Sequence, residues 1–185
     1  MTFESDMENE ELPYGSEEKL REAQIPLALE AIAELESAAT EEKEFYALSR
    51  AAFAYLVVEK QTEAVKAAER FLKLAESFKE SWNYGNAIHN ANLVLGICAF
   101  DSGDIDAAKE YLEKAGGSPG SPQLGSFGPN MQLARRLLNA GEFDVVLKYF
   151  DLCERFWKSG GEWLRVWREK VVAHKVPNFY MHLYT

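Results

Sequence analysis

The chain has 185 residues, the size of one domain or a short repeat array, and 47% of them are apolar, enough for a sizeable core. Thirty acidic residues against twenty basic ones give a formal charge of −10, a field that repels nucleic acid and anionic lipid. The longest apolar run, near Leu93–Phe100, contains Gly96 and falls well short of the ~20 residues that cross a bilayer.

Residues 1–15 are acidic and poor in periodic apolar side chains, and are expected to form a disordered tail. Their first residues lack the basic and apolar sections of a secretory signal. The two cysteines, Cys98 and Cys153, lie in patterns that read as buried helix faces. Both features predict a cytoplasmic protein without disulfides. Ser16 with Glu17 and Glu18 signals a helix start, after which Pro26 either kinks that helix or begins another carrying Leu29, Ile32 and Leu35.

Thr40 followed by Glu41 and Glu42 marks the next start, and Phe45, Leu48, Ala52, Tyr55 and Leu56 define a helical face to about Glu59. Further helices are expected over about 62–79, 84–100 and 105–115, the last after the turn Asp101-Ser102-Gly103-Asp104. The stretch Gly116 to Gly128 holds Gly117, Gly120 and Gly125 with Pro119 and Pro122, and is read as a non-helical connection. Pro129 then suits a first helical position, with Gly141 as a left-handed cap near that helix's end. Two more helices are expected, Phe143 to Lys158 and Glu162 to Lys175, before Pro177. No segment alternates with period two, so no sheet is expected.

One spacing recurs. Ala52, Ala64, Ala68 and Phe71 lie at steps of twelve, four and three, and so do Gly96, Ala108, Leu112 and Ala115, and then Ala134, Val146, Phe150 and Cys153. Where antiparallel helices cross closely, a small residue lets the backbones approach and a larger one a turn later fills the gap. The stretch LVLGICAFDSGDIDAAKEYLEKA resembles the tetratricopeptide motif, LARRLLNAGEFDVVLKYFDLC resembles it less, and AAFAYLVVEKQTEAVKAAERF lacks the turn glycine. The segments WNYGNAIHNANLVLG and GSPGSPQLGSFGPN also resemble a group of small bacterial proteins, a resemblance that carries no activity with it.

The tetratricopeptide resemblance implies an all-α fold: a right-handed α-solenoid of about three helical hairpins, at about 42–80, 84–115 and 129–158, with extra N- and C-terminal helices. A single domain over 16–176 would end in a capping helix, 162–175, whose Trp163, Trp167 and Val171 form one stripe. The first helix of each hairpin would line a concave, mostly apolar groove. That places Ser49, Phe53 and Leu56, then Asn90, Leu93, Ile97 and Phe100, then Met131, Arg135 and Leu138 in it. Arg135 would meet a carboxylate and Asn90 a peptide backbone. The expected partner is a protein or peptide; the resemblance does not extend to the paired Lys and Asn with which some members clamp a terminal carboxylate.

Asn86, His89 and Asn90 share a helical face beside Trp82 and Tyr84, and form a candidate polar cluster with Phe127 as the anchor of the Gly/Pro connection. No phosphate-binding glycine motif, metal-ligand spacing or catalytic triad emerges, so no enzyme, metal or cofactor is expected. The aromatic tail 177–185 either docks on the last helices or enters a neighbour's groove in a homodimer. Two other functional readings stand beside peptide binding: a self-assembling structural or regulatory subunit, and a small-molecule or hydrolytic site near His89.

Overall fold

The computed structural model describes residues 17–183, and the expectations for the 1–15 tail, the Ser16 cap and the last two residues lie outside them. Among the described residues every regular element is helical. In chain order these are α1 (Glu17–Glu36), α2 (Glu41–Val57), α3 (Gln61–Ala75), α4 (Tyr84–Asp101), α5 (Ile105–Gly116), α6 (Pro122–Phe127), α7 (Gln132–Asn139), α8 (Phe143–Cys153) and α9 (Gly161–Val172), with short 3₁₀ turns at Lys158–Gly160 and Tyr180–Leu183.

Local chemistry sets most starts. Thr40 accepts a hydrogen bond from the Lys43 backbone N–H, and three glutamates fill the first turn of α2. Asp104 does the same for α5 through Ala107. Pro26 neither breaks nor divides α1, which runs through it as one helix. Its buried face is Ala28, Ala31 and Ile32, packed on Ala54 of α2. Leu29, expected inward, is 55% exposed, because the small residues beside it are the ones that let α1 approach α2.

Two ends fall short of expectation. Helix α3 stops at Ala75, where the chain turns so that Phe78 stacks on Phe45 at 4.7 Å. Helix α8 stops at Cys153, and Trp157 folds into the core against Trp167. The connection read as non-helical holds α6. Ser121 caps it through the Leu124 N–H, and Pro122 occupies its first turn, so the residues that resembled breakers start a helix instead.

Consecutive helices pack in pairs, α2 on α3, α3 on α4, α4 on α5 and α7 on α8. Contacts also join α2 to α4, α4 to α7, and α5 to α8, while α1 covers α2 and α9 packs on α8. Gly96 marks a close crossing: a β-carbon there would lie 2.3 Å from Leu133 Cδ2 and 3.0 Å from Tyr111 Cβ. Ala52 and Ala134 are both fully buried.

A repeated turn follows these three residues. Seven positions after each, at Glu59, Gly103 and Gly141, the backbone takes φ of 58°, 86° and 88°. In each turn the next amide N–H bonds back five residues: Lys60 to Tyr55 O, Asp104 to Ala99 O, Glu142 to Leu137 O. His174, at φ 55°, ends α9 identically, with Lys175 bonded to Lys170 O. The first turn thus adopts the glycine geometry without the glycine, which is why its sequence match is the weakest.

The 177–183 segment docks within the chain. Phe179 is fully buried and meets Trp167 edge-on at 5.0 Å. His182 O accepts from the Met131 N–H at 2.7 Å, and Leu183 O from the Gln132 side chain at 2.7 Å. Both cysteines are buried free thiols. Among the described residues no helix is long and apolar enough to cross a membrane.

Candidate functional site

A cleft of about 530 Å³ opens where α1, α2, α4 and α7 meet, within the size range of ligand-binding pockets. Of the groove residues expected from sequence, Ser49, Phe53, Leu56, Asn90, Ile97 and Arg135 line it. They come from α2, α4 and α7: Ser49, Phe53 and Leu56 share one face of α2 at i, i+4 and i+7, and Asn90 and Ile97 lie seven residues apart on α4.

Four others stand elsewhere. Leu93, Met131 and Leu138 are core residues, at most 2% exposed. Phe100 is partly buried and packs against that same core. The Met131 expectation assumed a helix from Pro129. Met131 is instead the residue before α7, and its backbone N–H is tied to the C-terminal segment.

Several lining residues were not among those expected. Arg21, Gln24 and Leu27 come from α1, Gln132 and Arg136 from α7, and Leu183 from the docked tail. Arg50 and Arg136 adjoin Ser49 and Arg135 in sequence, so their nearness was readable. The contributions of α1 and Leu183 depend on long-range docking. Ser49 Oγ lies 3.5 Å from Asn83 Oδ1, which also accepts from Asn86.

The polar cluster divides in two. Asn90 faces the cleft, whereas Asn86 holds the Gly116–Gly128 connection against α4 and His89 bonds the backbone on either side of it, at Ala115 and Asn130. Asn86 donates to Gln123 Oε1 at 2.6 Å and accepts from Ser121 Oγ at 2.6 Å. Ser118 Oγ donates to Gly85 O at 2.7 Å. The approach is so close that a β-carbon on Gly85 would lie 1.8 Å from Gly120 O. Phe127 is 68% exposed and anchors nothing; Leu124, which is buried, is the apolar contact of α6 instead.

His89 is fully buried. Its Nδ1 lies 3.1 Å from Ala115 O, and its Nε2 accepts from the Asn130 N–H at 3.3 Å. A carbonyl only accepts, so Nδ1 carries the proton and the ring is neutral. Burial pushes its pKa down to about 4, with the Ala115 hydrogen bond opposing. Both ring nitrogens are committed to backbone groups of α5 and the connection, so the ring acts as a strut. His182 is similar: burial among Trp157, Trp163 and Trp167 lowers it to about 4, and Nδ1 lies 3.3 Å from Pro129 O.

The described residues hold no cluster of three or more His, Cys, Asp or Glu side chains able to bind a metal ion. No protein-family model matches the chain, and comparison with curated proteins and with solved structures finds no match either.

Proposed function

We propose that this protein is a cytoplasmic interaction module, a right-handed stack of three tetratricopeptide-like hairpins that binds a protein or peptide in the cleft. The recurring left-handed turn, spaced like Ala52, Gly96 and Ala134, supports the repeat reading, as do the contacts linking α2, α4 and α7 in succession. The observation that carries the binding reading is the convergence of Ser49, Phe53, Asn90, Ile97 and Arg135 from three helices on one cleft. Apolar floor with a few amide and guanidinium groups around it is the composition that peptide recognition uses. His89 gives the hydrolytic alternative little support, since neither of its ring nitrogens faces a substrate-sized space with a lone pair to offer.

The test is selection from a displayed peptide library on the full chain, followed by titration calorimetry of the enriched peptides. Phe53→Ala and Asn90→Ala are each expected to weaken binding by about tenfold, a difference of ~1.4 kcal/mol. Peptides that bind both variants as tightly as the parent chain would refute the assignment of the site.

A further inference from the structure

The cleft differs in charge from the chain that builds it. Four of the eight arginines, Arg21, Arg50, Arg135 and Arg136, line it, and no aspartate or glutamate is among its described lining residues. This happens in a protein of net charge −10. Three of these arginines meet a carboxylate through one nitrogen, Nη1: Arg21 with Glu59, Arg50 with Glu34 at 3.4 Å, and Arg136 with Asp101.

Arg70 shows the contrasting arrangement. It grips both oxygens of Glu44 through Nε at 2.8 Å and Nη2 at 2.7 Å, and so joins α2 to α3. A guanidinium carries five N–H donors, so a contact through one nitrogen leaves most of its fork for another acceptor. Exposed ion pairs of this kind contribute little and exchange readily. Glu34, Glu59 and Asp101 therefore act as replaceable counter-ions. Between the arginines the surface is apolar, formed by the half-buried Phe53, Leu56 and Val57, with Ile97 buried beneath them.

Resting on the interaction-module reading above, we infer that the occupant is an internal acidic segment of a partner protein, in which side-chain carboxylates alternate with apolar residues. Its carboxylates take over Arg21, Arg50 and Arg136 from Glu59, Glu34 and Asp101, and its apolar side chains cover the floor. The Asn90 amide is placed to bond its backbone. A nucleic-acid strand would satisfy the arginines but leave the apolar floor uncovered, and the acidic chain repels a long polyanion.

The test is fluorescence polarisation on the full chain with three short labelled peptides, each amidated at its C-terminus. One repeats Glu with Leu and Phe, one has Lys in place of Glu, and one has Ser in place of Leu and Phe. Oligothymidylate is the fourth probe. The Glu peptide is expected to bind about tenfold or more tighter than the other three, and to lose about tenfold in an Arg50→Gln/Arg136→Gln double variant of unchanged helicity. Added salt is expected to weaken it.

A Lys peptide that binds as tightly as the Glu peptide and is lost in Phe53→Ala overturns the acidic preference but leaves the groove reading standing. Absence of binding by every peptide overturns both. Oligothymidylate binding equal to that of the Glu peptide overturns the choice of a protein partner.

Discussion

Placing one methyl group on Gly85 asks whether the Gly116–Gly128 connection is held in place by α4. The new carbon would lie 1.8 Å from Gly120 O and 2.4 Å from Gly120 C. Both are backbone atoms, so no side chain can rotate away and the connection has to lift. Three hydrogen bonds are then at risk: Ser118 to Gly85 O, Ser121 to Asn86, and Asn86 to Gln123. At about 1 kcal/mol each, their loss costs about 3 kcal/mol. Replacing glycine in a helix recovers about 1 kcal/mol, which leaves Gly85→Ala about 2 kcal/mol less stable. For a chain of this length that lowers the thermal midpoint by about 4–8 °C. Circular-dichroism melting measures the loss, and hydrogen exchange should show faster exchange over 117–128. Gly125→Ala is the control, because its added carbon would sit at ordinary contact distance, 3.5 Å from Phe156 O. A Gly85→Ala midpoint equal to or above that of the parent chain would refute the docking argument.

His89 and His182 are each held near pKa 4, below the ordinary 6.5, so the unfolded chain binds more protons between those values. Stability is therefore complete above pH 6.5 and falls as the pH drops toward 4, with His89 alone accounting for about 3 kcal/mol; urea unfolding that is flat from pH 7 to 5 contradicts this. Glu59 sits at φ 58° where the equivalent turns have glycine, so Glu59→Gly should raise the unfolding free energy by about 0.5–1 kcal/mol. A loss measured by the same urea titration would count against the turn equivalence. Removing residues 177–185 exposes the surface that buries Phe179 against Phe150 and Trp167. The shortened chain should keep the oligomeric state of the full chain by light scattering and lose about 3–5 kcal/mol; unchanged stability would contradict the docking.

What the sequence made readable was local. A cap announced α2 and a compact turn announced α5, because Thr40 and Asp104 act within one turn. The twelve-residue step to Ala108 brought out Gly96 because a close helix crossing tolerates few side chains. The connection was misread because Ser121 and Pro122 start a helix as readily as they end one, and only the Asn86 and Gly85 contacts decide which. The same holds for the cleft. The tetratricopeptide resemblance, mapped by helical spacing, placed Ser49 and Phe53 on one helix, Asn90 and Ile97 on a second and Arg135 on a third. Arg21 and Leu27 join them because α1 docks on α2, and Leu183 because its carbonyl meets Gln132, 51 residues away, contacts that no local pattern encodes. Asn86 and Asn90 shared a predicted face, yet the packing of α4 against two different neighbours sends one to the connection and the other to the cleft.

Peptide binding in the cleft between α1, α2, α4 and α7 is open to direct observation in solution. The direct measurement is an amide and side-chain chemical-shift map of the full chain during titration with a library-selected peptide. Resonances of Ser49, Phe53, Asn90, Ile97 and Arg135 are expected to move together and saturate together, while those of Trp163, Trp167 and Phe127 stay in place. Shifts gathered on the Trp cluster or on α6, with the cleft residues unmoved, would contradict it.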